Sequence, residues 1–167
     1  YDLPNYGVFD EKRVFDRGAP PSIMVWRGVP LGVLICEEVW DVQAAQQLAA
    51  QGAELLVVQN ASPYHIGKAN ERKKVVDAAV AATGVPVVYV NLIGGQDELV
   101  FDGRSYIRGV AGADLARLPA FAESLAVTRW ERRDRAWHCV AAPMEPVRSD
   151  EETIYRALVL GLRDYVR

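Results

Sequence analysis

Leu31-Gly32-Val33-Leu34-Ile35-Cys36-Glu37-Glu38-Val39-Trp40-Asp41 is the stretch that decides how this 167-residue chain is read. Residues 31–35 are apolar without alternation, the pattern of a strand covered on both faces. Asp41 is a helix-capping residue type, and the helical pattern it opens runs to Gln51, with Gly52 just past the end. A buried strand thus delivers Cys36 to its C-terminal edge, immediately ahead of a helix. Ligand and catalytic groups gather at that edge in open α/β sheets. A thiol near a helix N-terminus can have its pKa lowered, and the thiolate is the nucleophile. The same position equally suits a small buried core residue, the ordinary fate of a lone cysteine. Glu37 and Glu38 alone disfavour a thiolate, so a reactive Cys36 requires a cation nearby.

Working outward, residues 1–21 are turn-rich and read as an extended loop over a short apolar anchor. Strands at 23–26 and 31–35 flank Arg27-Gly28-Val29-Pro30, a hairpin signal. A second continuous apolar strand covers 55–58 and stops at Asn60-Ala61-Ser62-Pro63. A helix is predicted over 68–83, with Val75, Val76, Ala79 and Val80 as its apolar stripe and Gly84 as its end. Arg72-Lys73-Lys74 reads as that helix's solvated face. A third buried strand spans 85–90. The segments 98–101 and 105–108 then form a hairpin about Asp102-Gly103, a good turn dipeptide. A further strand is expected at 125–130 and a helix from about Asp150. Strands alternating with helices define an α/β layered domain.

Three polar segments each follow a buried strand at the same edge. Gln59-Asn60-Ala61-Ser62-Pro63-Tyr64-His65 offers short hydroxyl and amide groups suited to a small polar substrate, or simply to Asx and Ser turns. Asn91-Leu92-Ile93-Gly94-Gly95-Gln96-Asp97-Glu98 carries two adjacent glycines without any phosphate-loop pattern, so a turn is expected there. His65 is placed to act as a base for Cys36 or to be a solvated loop residue. His138-Cys139 reads as a surface strand.

Composition narrows the classes. Half of the chain is hydrophobic and a quarter charged, which excludes disorder. A net charge of -3 with interleaved acids and bases gives no nucleic-acid footprint. No apolar run approaches the roughly 18 residues of a membrane span. Two cysteines and two histidines supply metal or disulfide chemistry poorly, and a cytoplasmic location is expected. The chain opens on Tyr1-Asp2 without Met and closes on Tyr165-Val166-Arg167 in a helical pattern, so a piece of a longer protein is expected.

These residues together resemble the nitrilase-type (carbon–nitrogen hydrolase) glutaminase domain of glutamine-dependent NAD synthetases. The resemblance runs through residues 3–13, then Leu34-Ile35-Cys36-Glu37-Glu38-Val39-Trp40, Gln59-Asn60-Ala61-Ser62-Pro63-Tyr64, residues 91–103 and the terminal 152–167, in that order, and is weakest at 110–145. It implies the C-terminal portion of a four-layer α-β-β-α sandwich over 1–149, followed at 150–167 by a helix leading to a synthetase domain. It also implies a Glu-Lys-Cys triad in which Cys36 attacks the carboxamide of glutamine. The triad lysine is expected immediately before Tyr1 and the triad glutamate further upstream, so the segment alone is expected to be inactive and poorly soluble. Glu11 matches the acid that supports the lysine. Tyr6, Trp40 and Ser62 match pocket residues, and Lys68 a position at the pocket rim. No cofactor is expected within these residues; ATP and magnesium would serve the synthetase domain. Expected partners are glutamine, that same-chain domain and further copies of the chain. Another carbon–nitrogen hydrolase, acting on an amide or carbamoyl group, and a non-catalytic interaction domain of the same fold are the alternatives.

Overall fold

The computed structural model describes residues 2–5, 7, 9–134 and 136–167. A short helix α1 (Glu11–Val14) precedes β1 (Ile23–Trp26) and β2 (Val29–Ile35). Their turn places Arg27 at φ 48 and Gly28 at φ 80. Two successive left-handed residues match the twist of a tight hairpin, and glycine takes the second at no steric cost. β2 ends in a 3-10 turn at Cys36–Trp40, and α2 (Val42–Ala50) follows with Asp41 accepting the Gln43 N–H at 2.9 Å. Then come β3 (Leu55–Asn60), α3 (Lys68–Thr83) and β4 (Val87–Asn91).

Six strands form one sheet in the order β1-β2-β3-β4-β7-β8, with β7 at Tyr106–Arg108 and β8 at Asp114–Arg117. β2, β3 and β4 run parallel and the others antiparallel. On one face Leu34, Leu56, Val58, Val87 and Tyr89 pack under Ala45 and Leu48 of α2 and Val76 and Ala79 of α3. Alternation turns Val33, Ile35, Val57 and Val90 to the other face. There Ile35 is 50% and Val90 45% exposed. The described residues therefore supply one helical layer and one sheet layer of an α/β architecture.

The C-terminal half departs from the sequence reading in three places. β6 (Leu99–Asp102) pairs not with β7 but with β5 (Ile93–Gln96), turning at Asp97-Glu98, while β7 pairs with β4. Asp102 is buried in an ion pair, so Asp102-Gly103 is not the hairpin turn. Gly94-Gly95 lies in β5 rather than in a turn. The expected strand at 125–130 begins only at β9 (Arg129–Arg133), which pairs with β10 (Ala136–Ala141). Arg132 and Trp137 anchor that hairpin on Glu54. Leu125 and Val127 stay in open solvent.

α4 (Asp150–Tyr165) lies on the β5–β6 hairpin. Ala157 and Leu160 meet Phe121, Tyr64 and Val100, and Asp164 accepts the Gly95 N–H at 2.8 Å. A Cβ on Gly95 would stand 3.0 Å from the Gly161 Cα and 3.3 Å from the Asp164 Cβ, where backbone cannot yield. Gly95→Ala is therefore expected to cost about 1–3 kcal/mol. Thermal melting reads the loss, and hydrogen exchange locates it in α4. No helix among the described residues is long and apolar enough to cross a membrane.

Candidate active site

The parallel order β2, β3, β4 puts three strand ends side by side: Ile35-Cys36, Asn60-Ala61 and Asn91-Leu92. Cys36 has φ 51, the left-handed region that a residue with a Cβ rarely adopts. The chain leaves β2 abruptly there, and the 3-10 turn is pinned by the buried Glu38, whose carboxylate accepts the Ile35 N–H at 2.7 Å. Such local strain persists only where surroundings over-determine it, and it clusters at functional sites.

Cys36 opens on a cavity of about 830 Å³. Cys36, Glu37, Asn60, Ala61 and Leu92 line one wall, and Glu11, Lys12, Asp16 and Arg17 with Phe9 and Phe15 the other. The backbone N–H groups of Ala61 and Glu37 favour the Cys36 thiolate, while the Glu37 carboxylate disfavours it. Burial above all, then Glu37, pushes the Cys36 pKa up to about 12. The two amides oppose that shift without overcoming it. Ionisation of this thiol at neutral pH thus needs a cation beyond those that already face it. In the 167-residue chain, the logarithm of the Cys36 alkylation rate by iodoacetamide is expected to rise by about one per pH unit from pH 7 to 10 without levelling. A plateau in that range would mean that the described surroundings already support the thiolate.

The structure distributes the other sequence candidates unevenly. Glu11 faces the cavity together with Cys36. Tyr6 lies outside the described residues. Trp40 is 40% exposed at the end of the 3-10 turn, with Lys68 Nζ stacked 4.9 Å above its ring. Lys68 itself is buried at the start of α3 and reaches Glu71 at 3.3 Å. That hydrogen bond is the first cause holding the Glu71 carboxyl below its ordinary range. Ser62 is buried behind Ala61, where its hydroxyl accepts from Arg72 instead of lining the cavity. His65 is exposed, 3.4 Å from Glu71.

Arg72 corrects the sequence reading: it is 3% exposed, not part of a solvated face. The spacing Lys68, Arg72, Val76, Ala79 puts it on the core stripe of α3, a signal that the neighbouring Lys73 and Lys74 mask. Asn60 faces the cavity as its polar segment suggested, whereas Lys12 and Arg17 are cavity residues without a candidate role in the sequence. The residues after α1 carry no regular pattern that would have placed Arg17 there. Among the described residues no three His, Cys, Asp or Glu side chains are grouped to hold a metal ion. The paired glycines of β5 are occupied by α4, so they cradle no phosphate.

A thiol at a strand end, in a strained turn, with an acid across a cavity, is the equipment of a cysteine hydrolase. The family model for carbon-nitrogen hydrolases matches residues 2–135, and the chain belongs to that family. Along all of its length it is 44% identical to the glutamine-dependent NAD(+) synthetase of Rhodobacter capsulatus and 36% identical to that of Acinetobacter baylyi. It spans 30% of the length of each of these relatives. Among solved structures, 99% of the chain superposes on the ADP complex of glutamine-dependent NAD+ synthetase from Acinetobacter baumannii, with TM-score 0.89 and 37% identity, covering 31% of that chain. An amidase from Nesterenkonia sp. AN1, with acrylamide added at its active-site cysteine, matches 68% of this chain and 44% of its own, with TM-score 0.60 and 32% identity. The architecture is thus nitrilase-like, and the chain corresponds to part of such a domain.

Proposed function

We propose that this chain is the cysteine-bearing part of a glutaminase that hydrolyses glutamine to glutamate and ammonia. The observation that carries the reading is Cys36, held in a left-handed turn at a strand end and facing Glu11 across the cavity. In the reaction the Cys36 sulfur bonds to the carboxamide carbon, the C–N bond breaks, and ammonia departs with a proton from a general acid. Water then attacks the thioester, releasing glutamate and restoring the thiol. The Glu37 N–H, beside the sulfur, is suited to hold the developing oxyanion. A lysine preceding Tyr1 supplies the cation that the raised Cys36 pKa demands, Glu11 steadies it, and a glutamate upstream acts as base. Tyr6, Trp40 and Lys68 are assigned to recognition of glutamine, and Ser62, buried behind Ala61, to holding the loop that carries Ala61.

Ammonia passes, in this reading, to a synthetase region of the same polypeptide, beyond the helix at 150–167, that amidates deamido-NAD to NAD. Similarity to synthetases over the whole chain supports that partner. In this reading no cofactor is assigned to these residues, and ATP and magnesium belong to that synthetase region. The enzyme is read as cytoplasmic and homo-oligomeric.

The amidase likeness favours a second reading, hydrolysis of a simple amide or carbamoyl group. Assay of the full-length enzyme separates the two. The proposal expects glutamate and ammonia in equal amounts from glutamine, at rates far above those with acetamide or an N-carbamoyl amine. Preference for the simple amide would overturn it.

A further inference from the structure

Below the Cys36 turn lies a polar cluster that the proposed chemistry does not use. Arg72 on α3 and Asp102 at the end of β6 are 3% and 1% exposed, and Arg72 Nη1 donates to Asp102 Oδ1 at 2.7 Å. The rest of the guanidinium is spent on one loop. Nε donates to the Ser62 hydroxyl at 3.0 Å, and Nη2 to the Ser62 carbonyl at 2.6 Å and the Pro63 carbonyl at 3.2 Å. Asn91, at the end of β4, completes the hold. Its Oδ1 accepts the Ser62 N–H at 2.9 Å, and its Nδ2 donates to the Ser62 carbonyl at 3.3 Å and to Asp102 at 3.4 Å.

Residues 61–63 belong to neither helix nor strand, so their backbone groups have no ladder to join. Arg72 from α3 and Asn91 from β4, both bonded to Asp102 of β6, satisfy those of Ser62 and Pro63 instead. The neighbours in sequence are the site itself: Ala61 precedes Ser62 and lines the cavity with Cys36, and Leu92 follows Asn91 and lines it too. A buried ion pair is a weak source of stability compared with apolar packing of the same volume, and its best-attested use is to fix one arrangement.

We propose that Arg72 and Asp102, with Asn91, are positioning residues that lock residues 61–63 so that Ala61 keeps its place in the cavity wall beside Cys36. The claim rests on reading Cys36 as the nucleophile. Arg72 and Asp102 touch neither the sulfur nor the cavity and act through the loop alone.

The test uses the full-length enzyme with Asp102→Asn, Arg72→Lys and, as a control, Asp77→Asn. Asp77 pairs with Arg108 elsewhere on α3 and has no contact with the loop. Two quantities are measured: the pH profile of Cys36 alkylation by iodoacetamide without substrate, and kcat and KM for glutamine. A displaced loop is expected to move the alkylation midpoint to higher pH and lower kcat by about 10- to 100-fold, with KM changed by less than about 3-fold. Asp77→Asn should leave both quantities at wild-type values. If Asp102→Asn does not fold, Arg72→Lys decides, because it keeps a charge opposite Asp102 but cannot hold both loop carbonyls. Folded variants with the wild-type alkylation profile and kcat would overturn the proposal, whatever their melting temperatures. A wild-type enzyme without glutaminase activity would sink the proposed function instead, and the alkylation comparison would still decide the role of the pair.

Discussion

Cys36→Ala is expected to lower glutamine hydrolysis by the full-length enzyme by about 10⁴-fold or more while leaving the fold intact. The methyl group of alanine occupies part of the thiol's own space beside Ala61 and Glu37, so no core is disturbed. What is lost is the one atom that forms the thioester. Binding and the oxyanion donors remain, and they account for the small residual rate. Ammonia release, measured with a coupled dehydrogenase assay, reads the effect, and circular dichroism checks the fold. Hydrolysis within 10-fold of wild type would mean that some other group attacks the carboxamide.

The second large effect is on stability. Asp102→Ala leaves the Arg72 guanidinium buried opposite a void and removes an acceptor of Asn91. Breaking one side of a buried pair costs about 3–5 kcal/mol, because the remaining charge keeps its desolvation penalty without its partner. For a protein of this size that lowers the melting temperature by on the order of 10 °C. Arg108 with Asp77 is the useful contrast, since Asp77 is 39% exposed. Water can replace its carboxylate there, and Asp77→Ala should cost only about 1 kcal/mol. Differential scanning calorimetry of the two variants reads the difference directly. Equal losses would show that the Arg72–Asp102 pair is no more isolated from solvent than a surface bridge.

Much of the parallel half was legible in the sequence because each of its signals is local. Unbroken apolar runs mark β2, β3 and β4. Asp41 caps α2, and Gly84, at φ 66, closes α3. The adjacency of Cys36 to Asn60-Ala61 and Asn91-Leu92 follows from three parallel strands ending at one edge, and it places most of one cavity wall. The misreadings are all non-local. Asp102-Gly103 carries a turn composition, but Asp102 is drawn inward by Arg72, 30 residues earlier, and the turn moves to Asp97-Glu98. Leu125 and Val127 alternate like a strand yet find no partner, because the pairing of β9 is set downstream by the contacts of Arg132 and Trp137 with Glu54. Arg72 reads as solvated beside Lys73 and Lys74 until the helical period is counted from Val76. The far wall of the cavity comes from residues 9–18, whose sequence has no period at all, so Lys12 and Arg17 emerge only once the chain is folded over Cys36.

The most direct test of the central claim is covalent labelling of the full-length enzyme with a diazo-ketone analogue of glutamine, followed by peptide mass spectrometry. The proposed glutaminase predicts a single adduct on Cys36, blocked by excess glutamine and absent from Cys36→Ala. An unlabelled Cys36 in a folded protein, or a label on Cys139 instead, would contradict it and return Cys36 to the role of a core cysteine.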